Sequence, residues 1–373
     1  MAQTIAVLIP GITGSILNIN TSPTPVWPTQ VALNPKNAAM LLSQPGITAG
    51  APIRQLLKPV YGGLINYFKG QSYTYVRQND PLPQTPGNVL VGFGYDWRQP
   101  NKSSAATLKS KLNDIANTYS GAQIWLIGHS MGGLVSRYLL ESGMATGATW
   151  KVQGLITLGT PHLGAPLALS AITGQCDLSQ LLDPDIIGQV VNLPNYPSAF
   201  ELLPPPQVSF VADPSATARG IYQDPVNALL TASPTASPPG FGAPASSFAD
   251  AKDFFAKLSY DTAPVDLPPY YLVYGNGLDT VNGFTYNPDG TGPLAQLSQN
   301  QPQGNSAGDG IVPMSSAAFT GSWVTKARIY NAGSLKHGQL PNDARVQQQI
   351  TQWMNGSTST MDVGPALEFA AID

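Results

Sequence analysis

Apolar residues recur along this chain in two alternating rhythms, and the alternation predicts the architecture. Thr4–Ile9 is a short apolar run ended by Pro10-Gly11, which reads as a buried strand entering a tight turn. Asn88–Phe93 repeats that pattern and ends in Gly94-Tyr95-Asp96-Trp97-Arg98. Ser103–Tyr119 places Leu108, Leu112, Ile115, Ala116 and Tyr119 on one face and closes at Ser120-Gly121, which predicts an amphipathic helix. Gln123–Ile127 then reads as a strand, Met131–Ser142 as a helix ended by Gly143, and Val152–Leu158 as a strand. Tyr270–Tyr274 and Ala327–Tyr330 are expected as later strands, and Val346, Ile350, Trp353 and Met354 mark a last helix. Near-continuous apolar strands alternating with helices imply a mostly parallel sheet with helices on both faces.

Two stretches break this rhythm. Residues 15–80 show little alternation, and residues 165–265 hold Leu203-Pro204-Pro205-Pro206 and the Pro-rich Ser233–Pro244, which a central sheet would not tolerate. Both read as insertions that cap the sheet, with about 231–247 expected as a poorly ordered loop. The core is then assembled from residues 1–14, 81–164 and 266–373, with a lid-type insertion at 15–80 and a Pro-rich cap at 165–265. No internal repeat is visible.

Composition narrows the classes further. Hydrophobic residues make up 42% of the 373, enough for a large core, while charged residues make up only 10% against roughly 25% in an average domain. Eighteen basic and 21 acidic residues leave a net charge of −3. Without a Lys/Arg cluster to neutralise phosphates, nucleic acid is not an expected partner, and no protein partner is evident. The single cysteine, Cys176, excludes an intrachain disulfide and reads as a small apolar filler. The opening MAQTIAVLIPG has no basic region before its apolar residues and runs straight into a strand. No apolar run approaches membrane-spanning length. The expectation is a soluble protein, cytoplasmic as written, or secreted if an export signal has been removed.

Gly128-His129-Ser130-Met131-Gly132 fits G-x-S-x-G between a strand and a helix. A serine raised on so sharp a turn needs glycines two residues to either side, and the helix beginning at Met131 aims its free N–H groups at the reacting oxygen. That context makes Ser130 the candidate nucleophile of an α/β-hydrolase fold. In such folds the acid and then the base follow the nucleophile in the chain, and only three histidines exist. His129 sits inside the elbow with its side chain expected to point away from Ser130. His162 comes too early to leave room for an acid, and reads as ordering its loop or reaching the substrate pocket. His337, after the last strand, is the expected base. The acid is Asp309, in Gly308-Asp309-Gly310, or Asp279, in Gly277-Leu278-Asp279, with Asp309 preferred. Two backbone donors must hold the oxyanion. Met131 supplies one by position, and Ile12 in Pro10-Gly11-Ile12-Thr13-Gly14 is the expected second.

These motifs, taken together, resemble the lecithin:cholesterol acyltransferase and lysosomal phospholipase family, with a likeness to bacterial lipases. The resemblance runs nearly end to end, through Pro10–Ser15, Tyr95–Arg98, Gly128–Gly132, Gly159–Pro161 with Leu163–Pro166, Tyr274–Leu278, Gly308–Gly310 and His337. Tyr95-Asp96-Trp97-Arg98 is the most specific, and is expected to be structural, with Trp97 packed under the sheet and Asp96 paired with Arg98. The resemblance implies that the acid lies in the Gly-Asp turn and that the first oxyanion donor follows Pro-Gly, which supports Asp309 and Ile12. It also implies an active-site lid near Trp27 and a membrane-binding segment between residues 30 and 75. The family's lid disulfide cannot form here, and the bulky apolar surface of its membrane segment is not obvious in this sequence.

The expected activity is therefore cleavage of an acyl ester of a lipid-like substrate through an acyl-enzyme, with hydrolysis and acyl transfer both open and transient contact with a lipid interface allowed. The acyl pocket is expected to use Trp27, His162 and Phe200. No metal or organic cofactor is expected: no HExxH or clustered-histidine site appears, and Asp289-Gly290 is too short of carboxylates for a calcium loop. Rival readings are a ligand-binding protein on a hydrolase scaffold, or a thioester or amide hydrolase using the same residues.

Overall fold

The chain begins with β1 (Thr4–Ile9) and passes through an antiparallel pair, β2 (Ser15–Ile19) and β3 (Ile47–Pro52), which brackets the short helices α1 (Thr29–Leu33) and α2 (Ala38–Leu42). Helix α3 (Gly62–Gly70), β4 (Thr74–Arg77), β5 (Val89–Gly92), α4 (Asn101–Thr118), β6 (Gln123–His129), α5 (Met131–Glu141) and β7 (Val152–Leu158) follow. A second excursion holds α6 (Leu167–Ile172), α7 (Pro197–Phe200), the two-residue strands β8 (Val211–Ala212) and β9 (Ala218–Arg219), α8 (Val226–Thr231) and α9 (Ala245–Phe255). The chain closes with β10 (Tyr270–Tyr274), β11 (Gly283–Tyr286), α10 (Pro293–Gln296), β12 (Leu297–Asn300), α11 (Met314–Ala317), β13 (Ile329–Asn331) and α12 (Ala344–Met354). The structure, a computed structural model, describes residues 3–357 apart from 21, 23, 34–37, 57–59, 174–195, 213–216, 238, 301–307 and 326–327. Cys176 lies outside the described residues.

Seven strands form one sheet in the order β13-β10-β7-β6-β1-β5-β4, and every pairing in it is parallel. The two-residue period of a strand sorts its side chains onto two faces. Ile5, Val7 and Ile9 of β1 join Leu108, Leu112 and Ile115 of α4 and Val135 of α5 in one apolar layer. Ala6 and Leu8 join Leu64, Ile65 and Phe68 of α3 and Val346, Ile350 and Trp353 of α12 in the other. Both faces are covered, so the central strands must be apolar throughout, and β5 and β10 are buried at every residue.

The insertions differ from their sequence-based outline. Residues 62–77, inside the stretch assigned to the lid, supply α3 to one face and β4 to the sheet edge. Only Val76 of β4 is buried, and one apolar position in four carries little strand signal. The cap, in turn, borrows from the C-terminal part: β11 pairs with β8, giving a second sheet in the order β12-β11-β8-β9. The segment expected as a poorly ordered loop is pinned to α8. Gly240, Phe241, Gly242 and Ala243 donate consecutive amides to the carbonyls of Ser233, Leu229, Ala232 and Leu230.

Candidate active site

Ser130 sits between β6 and α5 with φ 53° and ψ −126°, a left-handed backbone that a non-glycine residue adopts only when its surroundings impose it. The flanking glycines are a packing necessity. A Cβ on Gly128 would lie 2.6 Å from the Gly133 nitrogen, and one on Gly132 would lie 2.2 Å from the Ile9 carbonyl oxygen. The turn is fixed by the Ser130 amide donating to Leu158 O (2.9 Å) and by Thr160 Oγ1 donating to Ser130 O (2.9 Å).

The Pro10–Gly14 turn lies against this serine, since a Cβ on Gly11 would come 2.8 Å from Ser130 Cβ. Hydrogen bonds from several elements hold it. Gly14 N donates to Gly11 O (3.0 Å), Gly11 N to Tyr61 Oη (2.8 Å), Tyr95 Oη to Pro10 O (2.8 Å), and Trp27 Nε1 to Thr13 O (2.7 Å). With the Gly11 amide occupied, the next amide along, that of Ile12, has no backbone acceptor among the described residues; the Met131 amide has none either.

His337 follows β13. Its Nδ1 stands 2.8 Å from Asp309 Oδ2, and its amide donates to Asp309 O (3.0 Å). The other carboxylate oxygen, Asp309 Oδ1, accepts from the amides of Ile311 (3.0 Å) and Val312 (2.8 Å), so the carboxylate is locked in orientation. Both side chains are buried. Gly159, at φ 58°, completes the fit: a Cβ there would lie 3.0 Å from both Asp309 Oδ2 and His337 Nδ1. Of the two candidate acids, Asp309 is the one brought to His337; Asp279 is exposed.

The residues expected to line an acyl pocket are placed otherwise. Trp27 is fully buried, edge-on to Trp97 at 5.6 Å, and its indole serves the Pro10–Gly14 turn. Phe200 is fully buried in the cap core against Phe248. His162 stacks on Phe319, lies 3.0 Å from Thr157 Oγ1, and is held neutral by burial and then by the Arg137 guanidinium, both of which depress its pKa. A side chain sealed by its neighbours presents no surface to a ligand, so none of the three forms an open pocket wall. Large aromatics are as often core as binding surface, and their sequence positions do not distinguish the two.

Tyr95-Asp96-Trp97-Arg98 is a structural junction. Arg98 pairs with Asp96 at 2.6 Å and donates to Leu42 O of the first insertion, while Trp97 O accepts from Ser198 of the second. The pairing of Tyr61 with His129 is what the sequence did not reveal. Their rings meet 68 positions apart, with Tyr61 Oη 2.8 Å from His129 Nδ1, and no spacing rule reports such a contact. Among the described residues, no three His, Cys, Asp or Glu gather as metal ligands, and no helix is long and apolar enough to cross a membrane.

A parallel sheet covered on both faces, with a strained serine on the turn from its central strand into a helix, defines an α/β-hydrolase fold. The chain in the crystal structure of the Tle4-Tli4 complex shares it, with TM-score 0.59 and 14% identity over 93% of this chain and 97% of that one. The family model for lecithin:cholesterol acyltransferase matches residues 76–188. Phospholipase A(1) LCAT3 of Arabidopsis thaliana is 27% identical over 72% of this chain and 66% of its own length. Lecithin-cholesterol acyltransferase-like 4 of the same plant is 25% identical over 72% of this chain and 56% of its own. The matches thus span under two thirds of either relative. Over residues 76–188 the chain is similar to the lecithin:cholesterol acyltransferase family.

Proposed function

We propose that the protein is a serine hydrolase that cleaves carboxylic esters of a lipid-like substrate through an acyl-enzyme. The observation that carries this reading is the buried Asp309–His337 pair, whose imidazole lies 4.8 Å from the ring of His129, the residue before the elbow serine. Asp309 Oδ2 accepts from His337 Nδ1–H, which leaves Nε2 unprotonated and able to take a proton. Ser130 Oγ attacks the ester carbonyl carbon as its proton passes to Nε2. The carbonyl oxygen becomes an oxyanion held by the Ile12 and Met131 amides. Collapse expels the alcohol, which leaves with the proton from His337, and the acyl group remains on Ser130. Water then repeats the sequence and releases the acid; a second alcohol in its place gives acyl transfer.

The lipid-like substrate class is supported by the family match and by the names of the plant relatives. A matched ester, thioester and amide with the same acyl group tests the bond cleaved. The ester is expected to turn over fastest; an amide preferred over the ester would overturn the reading.

A further inference from the structure

His129, the residue before the candidate nucleophile, is buried, and the mechanism above does not use it. Its two ring nitrogens join parts of the site that are distant in sequence. Nδ1 meets Tyr61 Oη at 2.8 Å, Nε2 meets the backbone carbonyl of His337 at 3.2 Å, and the rings of His129 and His337 lie 4.8 Å apart. A carbonyl oxygen only accepts, so Nε2 carries the proton. Burial, followed by the neighbouring His337, depresses the His129 pKa well below 6.5 and keeps the ring neutral, which leaves Nδ1 an acceptor. Tyr61 Oη must then donate its one proton to Nδ1 while accepting the Gly11 amide at 2.8 Å.

The result is one directed chain from Gly11 N–H to Tyr61 to His129 to His337 O. It runs from the Pro10–Gly14 turn through the start of α3 and the elbow to the loop of the candidate base. The His337 backbone is held at both polar groups, its amide by Asp309 O and its carbonyl by His129. At the other end, the Gly11 amide is engaged and that of Ile12 has no backbone acceptor among the described residues. We propose that Tyr61 and His129 are positioning residues that set the oxyanion turn and the general base in register with Ser130. This inference rests on the proposed serine mechanism. Misplacing a reacting group by an ångström costs up to about a hundredfold in rate, so a shared brace has a kinetic signature.

The test compares Tyr61→Phe, His129→Leu, His129→Gln and the Tyr61→Phe/His129→Leu double variant on a p-nitrophenyl ester. Turnover is expressed per site titrated with a fluorophosphonate, which removes any unfolded fraction. Each of the first two is expected to lower kcat by about tenfold to a hundredfold with KM shifted much less. His129→Gln, which keeps a donor toward His337 O, is expected to recover most of the loss. The double variant is expected to be no worse than the more damaged single one, because either change breaks the same chain. Should His129→Leu fail to fold, Tyr61→Phe and His129→Gln decide the question alone. Unchanged kcat per site in Tyr61→Phe, or losses that multiply in the double variant, would overturn the inference while the serine mechanism stands. A wild type in which Ser130 takes no label would overturn both.

Discussion

At Asp309 both carboxylate oxygens are engaged: Oδ2 by His337, and Oδ1 by two amides of its own turn. Asp309→Asn presents an amide where the imidazole donor needs an acceptor and disfavours the tautomer with Nε2 free. Its kcat is expected to fall by about 10⁴-fold, while Asp279→Asn stays within a few-fold of wild type. The reverse order of damage would show that the acid is misassigned. Much of this was legible in the sequence. The elbow glycines mark Ser130, and chain order with three histidines leaves His337. Asp309 was already preferred over Asp279, and its 2.8 Å contact with His337 is what the sequence could not supply. The pairing of Tyr61 with His129 was not legible, since it depends on how α3 packs below the sheet. Trp27 and Phe200 carried no sign that their faces were already occupied.

Helix α4 starts after Pro100, and its first amide donates to Glu201 Oε2 at 2.6 Å across the junction with the cap. Burial, partly offset by this bond, raises the Glu201 pKa from 4.5 to about 8. Between these values the folded state holds a proton that the unfolded chain has lost, so stability from this group falls as pH rises through that window. The slope is about 1.4 kcal/mol per pH unit. His129 and His162 act in the opposite sense: buried neutral, they destabilise the fold as pH drops below the unfolded value of 6.5. Denaturant midpoints at pH 5.5, 6.5 and 7.5 are expected to peak near 6.5, and Glu201→Gln, which keeps an acceptor for α4, is expected to flatten the alkaline side. An unchanged alkaline decline in that variant would remove Glu201 as its cause. The main helices announced themselves by period and the buried strands by unbroken apolar runs such as β1, which is apolar on both faces. Strand β4 at the edge and the two-residue strands β8 and β9 did not, because elements so short or so exposed have no period to read.

The whole molecule is a parallel sheet core whose helix α5 contributes Leu134 to one apolar cluster with Phe200 and Phe248 of the cap and Tyr274 of β10. Alternation of strand and helix predicted that core; the sharing of β11 and β12 with the cap is a tertiary choice that no local pattern encodes. The proposed lipid-like substrate class predicts a reward for longer acyl chains. Each methylene buried contributes about 0.8 kcal/mol, near fourfold in affinity. kcat/KM across p-nitrophenyl esters is expected to climb from acetate until the site is full. A flat or falling series would remove the lipid-like substrate while leaving the serine chemistry intact. The chemistry itself is tested most directly by treating wild type and Ser130→Ala with a fluorophosphonate, mapping the modified residue by mass spectrometry and measuring esterase turnover in parallel. The expected result is a single label on Ser130, none on the variant, and turnover lower by several orders of magnitude in a protein that still folds. A label on another residue, or more than a few per cent of activity in Ser130→Ala, would contradict it.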